Sequence, residues 1–208
     1  MRKKLILIGA GGHARSCIDV IEQEGKFKII GIVGLESELG LQVNGYEVIA
    51  TDKDLATLVG KAQFVLIALG QISSPDARIS LYQRASKARF DLANVVSPSA
   101  YVSPSAQIGS GTIVMHGAII NSGVKVGSNC IINSRTLLEH DTQVLDNCHI
   151  STGAILNGGV FVEEGCFIGS GTIVKEGVSI GERSVVGMGS LLCSNLTAKS
   201  RFLGESLK

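Results

Sequence analysis

The chain is poor in almost everything a platform for polymeric partners uses. It has no tryptophan, and aromatic residues fill only 4% of its 208 positions, which excludes a base-stacking surface for single-stranded nucleic acid. No charge of either sign accumulates: 19 lysines and arginines stand against 18 aspartates and glutamates, for a formal net charge of +1. That balance excludes a basic nucleic-acid groove and a patch for anionic membranes. Long apolar runs are missing as well. The opening MRKKLILIGAGGH begins like a secretory signal, but its apolar stretch stops at Ile8, before glycines and His13. This is too short for a signal core, and no window reaches the apolar length of a membrane helix. The expectation is a soluble, cytoplasmic protein. There are only 3 prolines but 26 glycines, a balance that points to tight turns and close backbone packing and not to disorder. The five cysteines are an odd number without C-x-x-C spacing, so reduced, buried side chains are expected, not a disulfide framework.

What the sequence does have is a beat of six. From Val96, every sixth residue is aliphatic: Val102, Ile108, Val114, Ile120, Val126 and so on to Leu192, seventeen positions without an insertion. Four residues after each comes a small or medium side chain, such as Ala118, Cys130 or Thr136. A period of six fits neither a helix nor a simple alternating strand. It fits a parallel β-helix of hexapeptide repeats, in which three hexads close one triangular coil. At about 4.8 Å per coil, the column stands roughly 27 Å tall. Cys130, Cys148 and Cys166 are one coil apart and should stack inside it as corner fillers.

The residues before the repeat read as an α/β unit. KLILI (4–8) is a buried parallel strand, and the G-x-G-x-x-[GA] turn at Gly9, Gly11, Gly12, His13 and Ala14 leads into an amphipathic helix that Gly25 stops. Backbone amides at such a helix start suit a phosphate. Further strands are expected at 27–33, 63–69 and 90–96, and helices at 52–60 and 76–88. The unit is short for a dinucleotide fold; half of one, holding a single nucleotide or nucleotide-linked sugar, is the expectation. The bland alternative is a glycine turn that only packs helix on strand. The expected organisation is therefore a Rossmann-like α/β half-domain over 1–94, an all-β hexapeptide solenoid over 95–197 and a tail over 198–208.

One polar interruption breaks the solenoid pattern: LLEHDTQV (137–144) sets His140 between Glu139 and Asp141, in a chain with four histidines. His140 occupies the third place of its hexad, near a corner and away from the aliphatic core position. It is either a solvated turn or a functional imidazole. A neutral imidazole suits proton abstraction near pH 7, and a carboxylate on its other nitrogen fixes the tautomer.

A GAGGH turn followed by a hexapeptide solenoid resembles the sialic-acid O-acetyltransferase (NeuD) family, whose relatives include N-acetyltransferases of nucleotide-linked 4-amino sugars. The resemblance spans nearly the whole chain and is most specific over 133–160, with Glu139-His140-Asp141, His149-Ile150-Ser151 and Gly158. It implies a left-handed parallel β-helix, a homotrimer with active sites between neighbouring solenoids, acetyl-CoA as acyl donor and no metal. It further implies that His140 is the base and that Asp141, or else Glu139, orients it. Gly158 would donate to the thioester oxygen, and His149 would lie near the acceptor or the pantetheine arm. Gly9, Gly11, Gly12 and His13 would face the sugar or its nucleotide; Arg135 would meet an acidic group or form a surface ion pair. The chain departs from the family at GIVGLES (31–37), where an acid often ends the second strand, and in its last residues, RFLGESLK. Hydroxyl and amine acceptors both remain open. Two other classes compete: a non-catalytic, nucleotide-sensing trimeric scaffold, and a metal hydrolyase like the γ-type carbonic anhydrases. The second needs clustered histidines, and no H-x4-H pair occurs.

Overall fold

The computed structural model describes residues 2–204. Its first part is a parallel sheet built around β1 (Lys3–Ile8), whose last four residues are fully buried. β1 pairs in parallel with β2 (Phe27–Gly34) on one side and with β5 (Phe64–Ile67) on the other. Burial on both faces explains why these strands are continuous aliphatic runs. α1 (Gly12–Glu24) follows β1 and ends at Gly25, a left-handed C-cap with φ 71°. α2 (Asp76–Lys87) follows β5.

Two expectations need adjustment, and one element is additional. Residues 42–51 form a hairpin, β3 (Gln42–Val43) and β4 (Tyr46–Thr51), turned by Asn44-Gly45 with both φ positive, the pairing such a two-residue turn favours. The segment expected as an α-helix at 52–60 is a 3-10 helix, Asp52–Leu58, whose N-cap is Thr51. The single strand expected at 90–96 is two: β6 (Asp91–Leu92) pairs with β5, whereas β7 (Val95–Val96) already belongs to the solenoid.

From β7 onward the chain makes a two-residue strand every six residues, ending the regular run at Leu191–Leu192. Partners are one coil apart, as in Ile113–Ile131 and Ile131–His149, so three parallel sheets form the faces of the column. The first face carries Val95, Ile113, Ile131, His149 and Phe167; the second carries Tyr101, Ile119, Leu137, Ile155, Ile173 and Leu191; the third carries Gln107, Lys125, Gln143, Phe161 and Ser179. The sixth-residue aliphatics point inward into one continuous core, fully buried from Val114 to Leu192 and only partly so in the first coil. The beat then shortens. Phe202 pairs with Val186, two residues early, so the chain expected as a tail carries another strand.

Most corners turn through one left-handed residue. From 111 to 189 these recur every six positions; nine are glycine and five are Asn129, Arg135, Asp141, Asn147 and Arg183. Beside these turns the buried fillers satisfy backbone carbonyls across the corner. Thr112 Oγ1 donates to Gly127 O at 2.8 Å, and Cys130, Cys148 and Cys166 donate through Sγ to Leu145, Glu163 and Gly181 O at 3.2, 3.1 and 3.2 Å. The cysteines are therefore free thiols stacked in the core, with burial raising the Cys148 thiol well above its ordinary pKa.

The α/β unit docks on the first face. α1 and the strand core share one apolar cluster with Val95, Ile113, Met115 and Ile131. Arg78, 1% exposed, threads the seam: Nη1 donates to Ile67 O and Leu69 O, and Nη2 to Asn129 O and Oδ1. No carboxylate neutralises it among the described residues. Four oxygen acceptors stand in for water, and burial lowers its pKa to about 10, which leaves the guanidinium charged at neutral pH.

Candidate active site

His140 sits at the corner between the second and third faces, between Leu137–Leu138 and Gln143–Val144. The left-handed turn at Asp141 (φ 61°) brings its carboxylate back, so that His140 Nδ1 lies 3.0 Å from Asp141 Oδ2. Aspartate tolerates this conformation better than most residues. In the neutral ring, acceptance by Asp141 puts the proton on Nδ1 and leaves the Nε2 lone pair without a partner. Two glycines make the space. A Cβ on Gly158, one coil along, would lie 2.6 Å from His140 Nε2, and a Cβ on Gly123, one coil back, would lie 2.6 Å from Asp141 Oδ1. Gly158 N–H makes no hydrogen bond among the described residues. The His140 side chain remains 67% exposed: no wall of its own chain covers it.

Glu139 turns elsewhere and accepts from Asn121 Nδ2 at 3.0 Å. The structure does not bring His149 to His140. It lies on the first face, under the α/β unit, 7% exposed. Its Nδ1 donates to Gln71 O at 2.7 Å and its Nε2 accepts from Asn133 Nδ2 at 3.0 Å. Burial outweighs the Gln71 bond and lowers its pKa to about 4, so it stays neutral. Within one chain both ring nitrogens are used. Arg135 is on the opposite edge of the second face from His140, exposed, with its guanidinium unpartnered among the described residues.

A second candidate region opens at the carboxyl ends of β1 and β2. A cavity of about 440 Å³ is lined by Gly9, Ala10, Gly11, Gly34, Glu38 and Arg84 among others. Gly9 is required by packing: at φ 117° its Cβ would press 3.0 Å from the Ala68 backbone. Gly11 and Gly12 face open space at the start of α1, where no side chain caps the helix. His13, next along, buries Nε2 without a partner; burial, then Arg78 and His149, lower its pKa to about 3.

No acid ends β2, but one folds back to it from further on. Glu38, in the 3-10 turn Glu36–Glu38, folds back so that Oε2 accepts from Leu35 N–H at 2.7 Å. Gly34 leaves the room: its Cβ would meet that oxygen at 2.7 Å. Across the opening, Arg84 grips Asp52 through an ion pair. No sequence pattern announces Glu38, because the turn that returns it has no periodicity.

His116 forms a line that looks catalytic and is not open to substrate. Its Nδ1 lies 2.6 Å from Ser97 Oγ and its Nε2 lies 2.9 Å from Asp19 Oδ2. Ser97 is only 1% exposed, so its hydroxyl meets no acyl group. The arrangement ties α1 to the solenoid, and the His116 bond holds the Asp19 carboxyl below its ordinary pKa. Among the described residues, no three metal-ligating side chains converge.

The matches to known proteins follow this division of the chain. Residues 4–85 match the PglD N-terminal domain, 105–140 the bacterial transferase hexapeptide and 159–193 the hexapeptide repeat of succinyl-transferase. The perosamine N-acetyltransferase of Caulobacter crescentus, solved with CoA and GDP-perosamine as a histidine-to-asparagine mutant, is 30% identical over 95% of this chain and 92% of its own, with TM-score 0.89. The chain belongs to the hexapeptide-repeat sugar acetyltransferases. Another such acetyltransferase, the PglB domain of Neisseria gonorrhoeae in complex with acetyl coenzyme A, is 28% identical over 97% of this chain and 96% of its own, with TM-score 0.88. WeeI of Acinetobacter baumannii, at 22% identity and TM-score 0.83 over 96% of each chain, shares the fold. Among curated proteins, none matches by sequence. In this sugar acetyltransferase, no helix among the described residues is long and apolar enough to cross a membrane.

Proposed function

We propose that the enzyme transfers the acetyl group of acetyl-CoA directly to a bacterial surface-glycan sugar, with His140 as general base. One observation carries the reading: His140 is held by Asp141 through Nδ1, with Nε2 bare beside Gly158 at an open corner. His140 Nε2 takes the proton of the acceptor amine or hydroxyl as that group attacks the thioester carbonyl. The tetrahedral oxyanion accepts from Gly158 N–H, which is unbonded and unshielded by a side chain. Collapse breaks the C–S bond, and the imidazolium returns its proton to the departing CoA sulfur. Asp141 stabilises the imidazolium meanwhile. The mutated histidine of the Caulobacter enzyme, crystallised with both CoA and nucleotide sugar, supports a histidine at the centre of this chemistry.

The acceptor we favour is the amine of a nucleotide-linked amino sugar, with a sialic-acid-like hydroxyl as the second reading. The cavity beside Gly9, Gly11 and Gly12 supports the first. It offers a helix start for the diphosphate and the Glu38 carboxylate for the ribose diol. The Caulobacter neighbour's GDP-perosamine points the same way.

The working form is a homotrimer. The first face is taken by the α/β unit, and the third is mostly polar. The second presents Tyr101, Ile119, Leu137, Ile155, Ile173 and Leu191 in one ladder, with Tyr101 56% and Leu191 67% exposed. An apolar stripe running the height of the column supports an interface there. Packing it on other copies also supplies the wall that His140 lacks. Five free cysteines suit the reducing cytoplasm.

Thiol release from acetyl-CoA, measured with a panel of UDP- and GDP-linked amino sugars and free sialic acids, tests the reading. Release with a nucleotide-linked amine supports it. Release only with sialic acids moves the assignment to the hydroxyl branch, and release with no acceptor sinks it.

A further inference from the structure

The corner residues single out Arg135. Nine of the fourteen left-handed turn positions between 111 and 189 are glycine, as the conformation favours. Each non-glycine exception but one has visible work. Asn129 accepts from Arg78, Asn147 donates to Glu164, Asp141 accepts from His140, and Arg183 pairs with Asp76 at 2.7 Å. Arg135, at φ 56°, bears the same strain. Its guanidinium meets no acceptor among the described residues, although its Cγ passes near Gly117. Among the described residues, no contact accounts for an arginine at this turn.

The arginine's place in the coil sets what it can face in an assembly. Arg135 and His140 belong to the same coil, at the two ends of Leu137–Leu138, on the two edges of the apolar second face. When those faces close on one another about an axis parallel to the column, the edge bearing His140 in one copy abuts the edge bearing Arg135 in the next, at the same height. We propose that Arg135 of one copy completes the active site of its neighbour and binds an oxyanion of the acceptor sugar, either a sugar carboxylate or the diphosphate of a nucleotide-linked sugar. This rests on the trimer read above. A guanidinium fork suits both anions, and its position opposite the base makes it a determinant of which sugars are accepted.

The test uses R135Q, R135G and the intact enzyme. The KM for the acceptor should rise about 10- to 100-fold in R135Q, the loss of one charge-assisted contact, while kcat falls far less and the KM for acetyl-CoA stays within about twofold. Removing the anion from whichever acceptor is turned over identifies the source. A sugar-acid methyl ester should weaken the wild type as much as R135Q does and leave R135Q indifferent; removing the nucleotide, which also forfeits the contacts in the α/β cavity, should weaken both, but the wild type by about 10- to 100-fold more. R135G relieves the turn and should melt roughly 2–4 °C higher, with the same acceptor defect. Action in trans is read by mixing: trimers reassembled from R135Q and H140A chains should recover sites with wild-type acceptor KM, one intact base facing one intact arginine.

An unchanged acceptor KM overturns the proposal. So does a defect in the KM for acetyl-CoA that vanishes with acetyl-pantetheine, which lacks the donor phosphates. A loss of trimer stability without a KM change would reduce Arg135 to an intersubunit ion pair. No recovery in mixed trimers would place it in cis. A monomer in sedimentation equilibrium would sink the assembly itself, a failure separate from the others.

Discussion

Gly158 lies over the imidazole of His140, so close that a Cβ there would stand 2.6 Å from Nε2. The relationship comes from the solenoid: residues one coil apart are neighbours, and a glycine above a histidine leaves both a bare N–H and a bare ring nitrogen. G158A should therefore push the ring off its bond to Asp141. The expected result is a fall in kcat of about 100-fold or more with little change in melting temperature, checked by steady-state kinetics beside a thermal melt.

The two acids flanking His140 should separate cleanly. D141N keeps an αL-tolerant residue and removes the carboxylate that orients Nδ1, so kcat should fall roughly 100- to 10,000-fold with KM nearly unchanged. E139Q keeps a carbonyl for Asn121 and should stay within about threefold of wild type. Equal damage from both would contradict the assignment of Asp141.

Stability should depend on pH through the buried histidines. In the folded enzyme burial lowers the pKa of His149 to about 4 and that of His13 to about 3, against about 6.5 for both in the unfolded chain. Between these values the unfolded chain holds more protons, so stability is fully present above about pH 6.5 and is lost as pH falls toward 4. His149 alone accounts for roughly 3 kcal/mol. Urea melts across pH 4 to 7 should show the slope, and H149Q should flatten part of it.

Nucleotide binding should respond to Glu38. E38Q removes the charge that we assign to the ribose diol, and GDP or UDP affinity should weaken about tenfold by calorimetry. The deoxynucleotides should be indifferent to the change. Because the cavity sits in the α/β unit, His140→Ala should leave this binding intact.

Much of this was legible in the residues because a hexad repeat fixes each residue's place on the column. The aliphatic beat from Val96 to Leu192 located the core, the stacked cysteines and the corner at His140. The choice between Glu139 and Asp141 was not legible. It depends on the left-handed backbone at 141 and on the reach of Glu139 to Asn121, neither of which has a periodic signature. The partners of His149 were not legible either, because they come from residue 71, far away in sequence, once the α/β unit docks. The short last coil escaped because the beat stops at Leu192 while the pairing continues through Phe202.

The claim at the centre is that His140 takes the acceptor's proton, and acetyl transfer by His140→Asn in a single turnover tests it most directly. With enzyme saturated by acetyl-CoA and by the acceptor found to be used, transfer should slow at least about 100-fold while binding of both substrates is retained. Transfer at the wild-type rate, with both substrates bound, would contradict the account.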